Sequence, residues 1–171
     1  MQWSLVGSEM CIRDRYKAAL RAPDHAWLRP SRFIQVTGDG ITKLSDIFVN
    51  FAKEKLKEED EQKLEKYKNA PFRAPMIIIL VSHIQDHPKV PEIEQVMSTA
   101  AAAQNILLAL KAINFAGMWR TGAFSLNNDI TKYLGLDEDH RVLGYLYVGT
   151  PDGPDKKIPE LDLDDFITKW D

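Results

Sequence analysis

Cysteine is nearly absent from this chain. Cys11 stands alone, so no intrachain disulfide can form and no cysteine-built metal site can be assembled. Long apolar runs are missing too. None approaches the roughly 20 residues that span a bilayer, and the N-terminus lacks the basic start and apolar stretch of a secretory leader. A soluble cytoplasmic protein is expected, with no membrane partner. Charge of one sign is also in short supply. There are 22 Lys and Arg against 25 Asp and Glu, a formal net charge of −3. No basic stripe interleaves with aromatics, so nucleic acid is not expected as a partner.

Several catalytic signatures are missing as well. The chain has no phosphate loop ending in Gly-Lys-Ser/Thr, no GxGxxG after a strand, no HExxH and no GxSxG elbow. His83 and His87 stand four apart, but in a proline-bearing loop, and no metal site is expected. What remains is an ordinary globular composition, 44% hydrophobic and 27% charged over 171 residues. That length suits one domain with a real core.

The first fifteen residues, MQWSLVGSEMCIRDR, show no helical or strand period, and residues 4–15 resemble a translated sequencing adapter. The expectation is a non-native segment at 1–15 and a single domain at 16–171 that lacks its native first helix. Residues 16–21 read as the end of a helix that Pro23 then breaks. SRFIQVT at 31–37 is β-branched and aromatic enough for a strand, closed by a turn at Gly38-Asp39-Gly40. Leu44, Ile47, Phe48 and Phe51 form one helical apolar face. The charged stretch 53–68 reads as a solvated continuation of that helix.

MIIILV at 76–81 is a buried strand by length and isoleucine content. Pro91 opens a helix whose run from 96 to 113 is apolar almost all round, with small residues at 100–103. Such a helix is expected to be buried on every side, at the centre of the chain or across a dimer interface. Asn114 and Gly117 end it. The segment GMWRTGAF at 117–124 is bracketed by glycines and reads as a turn, and 127–134 as a short helix capped by Asn127 or Asn128. RVLGYLYVG at 141–149 is a third strand, and Leu161, Leu163, Phe166, Ile167 and Trp170 are C-terminal apolar anchors. Three strands among helices of unequal length imply an α+β fold.

Arg21, His25, Trp119, Arg120, Thr121, Gly122, Lys156 and Lys157 supply cations, a flat ring and exposed backbone, a set suited to a flat anionic ligand. Taken singly, each also reads as ordinary core or solvated surface.

Longer stretches carry a resemblance. RAPDHAWLRPSRF at 21–33, NAPFRAPMIIILV at 69–81, the run from Lys89 to Ala123 and VLGYLYVGTP at 142–151 together resemble the nitroreductase family, in particular its small single-domain YdjA-like subgroup. The resemblance implies a three-layer α+β fold with a mostly antiparallel central sheet flanked by helices. It implies a homodimer with FMN in the interface and NAD(P)H as electron donor. A nitroaromatic- or quinone-like small molecule would be the acceptor, reduced in a ping-pong cycle.

By the same resemblance, Arg21 and His25 line the FMN from one subunit, and Trp119, Arg120, Thr121 and Gly122 form the flavin-contacting turn of the other. Apart from the resemblance, the charge of Lys156 or Lys157 is expected to supply residual phosphate contact. Ala109, Leu110, Lys111, Ala112, Ile113 and Asn114 match a stretch associated with the nicotinamide donor. The cofactor carries the chemistry, so no triad or metal is required. The family's arginine-bearing N-terminal segment, which grips the FMN phosphate, has no counterpart here. A truncated dimeric domain without activity, and a flavin carrier without turnover, therefore stay open.

Overall fold

A computed structural model describes residues 9–154 and 157–170. Four strands form one antiparallel sheet: β1 (Ser31–Thr37), β2 (Met76–His83), β3 (Ala116–Arg120) and β4 (His140–Gly149), in the order β1-β2-β4-β3. β2 is buried along all but its last residue because both of its faces are covered. Ile77, Ile79 and Val81 face one side, and Met76, Ile78 and Leu80 the other. Side chains alternate along a strand, so one apolar run feeds two cores.

On the first face lies α2 (Asp39–Glu54), whose Leu44, Phe48 and Phe51 are buried against Val142, Tyr145 and Tyr147. The short helices α5 (Ala123–Leu126) and α6 (Ile130–Tyr133) close that layer, with Phe124 stacked on Phe48 at 4.3 Å. On the second face lie α1 (Glu9–Ala19) and α4 (Glu92–Lys111). The result is the expected three-layer α+β arrangement.

Several expectations are corrected. Residues 9–15, read as lacking a helical period, form the first turns of α1, and Ile12 packs with Tyr16 against the second core. The turn at Gly38–Gly40 is the start of α2, which Gly38 precedes at φ 52°. The charged excursion is broken. α2 stops at Glu54, Lys57 takes φ 53°, and the Asp60 carboxylate caps α3 (Glu61–Asn69), accepting from Gln62 N at 2.8 Å. A cap satisfies the free N–H groups of a new helix, and that local gain competes with continuing the old one. Residue 129, not Asn127 or Asn128, precedes α6.

The GMWR segment is not a turn. It makes β3, a fourth strand that short length and glycine had disguised.

α4 is not buried on every side of one chain. Ala102, Ala103, Ile106 and Leu110 face the sheet, while Ile93, Met97 and Leu108 are about 60–62% exposed. The C-terminal anchors are likewise exposed, Trp170 almost fully, and do not pack on their own chain. The buried alanines permit close approach of α1 and α4. Ala103→Phe should therefore lower stability by about 1–3 kcal/mol through overpacking. An unchanged melting temperature would show that this face is looser than described.

Candidate functional site

β4 carries an extra residue. Leu80 pairs with Gly144 and Val81 with Val142, which leaves Leu143 as a bulge. The Leu143 carbonyl then accepts a hydrogen bond from Trp119 Nε1 at 3.2 Å. Trp119 thus lies on the α4 side of the sheet, among the second core's partly buried residues. Arg120, its neighbour on the strand, pairs with Tyr145 on the α2 side. Adjacent strand residues point to opposite faces, so the Trp119 and Arg120 side chains cannot grip one ligand together. Trp119 can offer only its backbone on the α2 side. As an edge strand, β3 leaves alternate backbone groups outside the ladder.

Arg120, Thr121 and Gly122 do come together. They line a groove of about 270 Å³ with Arg73, Lys66, Phe124, Tyr145 and Tyr147. The Arg120 guanidinium sits 5.7 Å from the Tyr147 ring centre. Burial raises the Tyr147 hydroxyl above its ordinary range, and the Arg73 and Arg120 charges oppose that rise. Burial, with some help from Tyr147, also raises Tyr145, whose hydroxyl donates to the Phe124 carbonyl at 2.7 Å. Both phenols stay neutral, and the groove has an aromatic wall beneath a cationic rim. Gly122, at φ 106°, turns the chain from β3 into α5.

Arg73, Lys66, Phe124 and Tyr147 were not singled out from the sequence. They come from four different elements, and no spacing links them.

Arg21 and His25 lie elsewhere. Arg21 lines a shallow hollow of about 210 Å³ with Trp27 and Arg29. His25 Nδ1 is 2.7 Å from Glu94 Oε2 in the first turn of α4. The intervening backbone is unusual: Ala26, Trp27 and Arg29 have φ of 57°, 58° and 53°. This segment leads into β1, whereas Arg120 ends β3 at the opposite sheet edge. Three inter-strand spacings separate those edges, about 14 Å. One chain therefore does not assemble the two residue sets. Each hollow is also smaller than the roughly 300–1,000 Å³ usual for ligand sites.

A wider depression of about 810 Å³ between α2 and α3 holds none of these residues. Its lining mixes the Asp46, Glu61 and Glu65 carboxylates with Lys53 and Lys68, so it has no cationic bias toward an anion.

The stretch from Ala109 to Asn114 is the last turn of α4 and its exit, which Asn114 turns at φ 61°. Leu110 is buried in the second core and its side chain is closed to a ligand, while Lys111, Ala112 and Asn114 are exposed. Lys157 is exposed, and Lys156 lies outside the described residues. No helix among the described residues is long and apolar enough to cross a membrane.

Comparison with known proteins places these features in context. The sequence model of the nitroreductase family matches residues 12–150. YdjA of Escherichia coli strain K12, provisionally named an NAD(P)H nitroreductase, is 36% identical over 140 residues, 82% of this chain and 75% of that protein. A nitroreductase-like family protein from Bacillus cereus superposes with a TM-score of 0.81 at 20% identity, covering 99% of this chain and 88% of the other. A nitroreductase with bound FMN from Bacteroides fragilis gives 0.72 at 20% identity, covering 99% and 91%.

Proposed function

The chain belongs to the nitroreductase family, and on that premise we propose that it is an FMN-dependent oxidoreductase that uses NAD(P)H to reduce nitroaromatic- or quinone-like acceptors in a ping-pong cycle. The observation that carries this reading is the groove at the end of β3, where Lys66, Arg73 and Arg120 rim a wall of Phe124, Tyr145 and Tyr147. Its donor set fits the cofactor: a flat apolar surface for a ring, cations for its electron-rich edge and phosphate, and edge-strand N–H groups alongside. FMN, when bound, supplies the hydride transfer. The chain binds and orients it, with Arg120 and Arg73 favouring added negative charge by preorganised electrostatics.

Both halves of the site are needed, so the working unit is a homodimer. Arg21 and His25 of the partner subunit complete the groove that Arg120, Thr121 and Gly122 begin. Lys157, with Lys156 beside it in sequence, would supply residual phosphate contact, and the exposed part of residues 109–114 serves the nicotinamide donor. A cytoplasmic setting belongs to the same proposal.

The test is an absorbance scan of the purified protein with FMN, then NADPH under argon. A flavin spectrum should co-elute with protein and bleach on NADPH. In Arg120→Ala, loss of a charge-assisted contact worth about 1.5–3 kcal/mol should weaken FMN binding by roughly tenfold or more. Unchanged occupancy and reduction rate would remove Arg120 from the site.

A further inference from the structure

Far from the groove, where β2 ends and β4 begins, the sheet gathers a second set of chemical groups. His83 and His140 are cross-strand partners, and their rings stack with centres 4.9 Å apart. The Asp139 carboxylate reaches both: Oδ2 lies 3.0 Å from His83 Nε2, and Oδ1 lies 2.7 Å from His140 Nδ1. Asp137, Asp139 and His140 each offer a donor atom within 4.8 Å of the other two.

Two details show what this cluster is suited to. Arg32 Nη2 stands 3.3 Å from His83 Nδ1. A guanidinium can only donate, so His83 accepts at Nδ1, carries its proton on Nε2 and donates to Asp139 Oδ2. That bond holds the carboxylate in place. His140 Nδ1 is different. It is buried and lies 2.7 Å from Asp139 Oδ1, an ion-pair distance. A ring nitrogen and a carboxylate oxygen thus converge beside the Asp137 carboxylate, and a metal ion would displace any proton that Nδ1 carries.

The nearby cations are engaged elsewhere. Arg141 is paired with Glu92 at 2.9 Å, and Arg32 also donates to the Arg29 and Ser31 carbonyls.

We propose that His140 Nδ1, Asp139 Oδ1 and an Asp137 carboxylate oxygen form a binding site for a divalent transition-metal ion of the zinc type. One imidazole and two carboxylates make a borderline donor set that prefers zinc, cobalt or nickel to magnesium or calcium. Water fills the remaining position. His83 is the outer partner that orients the ligating carboxylate, as second partners commonly do at metal sites. The ligands sit on a tight turn, in which His140 N donates to the Asp137 carbonyl at 3.2 Å, and on the strand that follows. Their backbone positions are therefore set by the turn and the strand register before metal arrives.

The experiment is calorimetric titration of zinc chloride into the full chain at neutral pH, with magnesium chloride as the comparison. Zinc should bind at one ion per chain, and magnesium should not saturate in the same range. Asp137→Asn and His140→Phe should each weaken zinc binding at least tenfold, and Cys11→Ser should leave it intact. Asp137 is exposed on its loop, so its variant keeps the fold even if His140→Phe does not. Zinc binding no tighter than millimolar overturns the proposal. So does wild-type affinity in the Asp137 variant or in a folded His140 variant, or loss of binding in Cys11→Ser.

Discussion

Gly144→Ala is expected to destabilise the chain by about 2–6 kcal/mol, combining backbone strain with overpacking. Gly144 holds φ 144°, and a Cβ there would lie 2.3 Å from Trp119 Nε1 and 2.6 Å from the Arg120 carbonyl. The indole is tethered to Leu143, and the carbonyl is backbone, so neither can yield without moving β3. Denaturant unfolding measures the loss directly. Gly117→Ala is the control. Its Cβ would meet Leu107 Cδ2 at 2.5 Å, but that atom is the tip of a flexible side chain, and the cost should stay below about 1.5 kcal/mol. Because β3 carries Arg120, flavin retention should fall in the Gly144 variant even where it remains folded. Equal stabilities for the two variants would mean that Trp119 does not clamp the bulge.

The second large effect is on assembly. For the proposed homodimer, with α4 packed across the interface, Met97→Glu combined with Leu108→Glu should convert the dimer into a monomer. Both side chains stand more than 60% exposed on the outer stripe of α4, so the single chain should fold normally. Across an interface, an unpaired buried carboxylate costs several kcal/mol, enough for a hundredfold or greater rise in the dissociation constant. Sedimentation should report the lower mass, and circular dichroism an unchanged fold. FMN should be lost with the dimer, although neither residue lines the groove. A dimer mass retained in the double variant would place the interface elsewhere, with the exposed Phe166 and Trp170 of the C-terminal segment as the next surface to test.

Much of the architecture was legible in the chain. β1 and the run at 76–81 announced themselves by β-branched and apolar composition. The face formed by Leu44, Phe48 and Phe51 announced α2 by its period. These signals are local, and burial follows from them directly. β3 was not legible, because five residues beginning Ala-Gly carry little strand preference and are held mainly by pairing with β4. The first turns of α1 were missed for a related reason, while its end was read: the helix is supported by packing on α4 as well as by any period of its own. The break between α2 and α3 turned on one capping aspartate.

The candidate site divides the same way. Arg120, Thr121 and Gly122 were named from the sequence and do share a groove. Trp119 was named with them but faces the other side, because a turn and a strand send consecutive side chains in different directions.

The sequence by itself determined the α+β class and most of the segments that make both cores, since hydrophobic period and composition are properties of short stretches, while the family followed from the resemblance of longer ones. Only the tertiary structure decided which residues meet. Arg73 and Lys66 join Arg120, His83 and His140 stack beside Asp139, and Arg21 and His25 are held at the far edge of the sheet. Those meetings depend on strand order and register, which are settled by pairing between distant segments and are not encoded in any one of them.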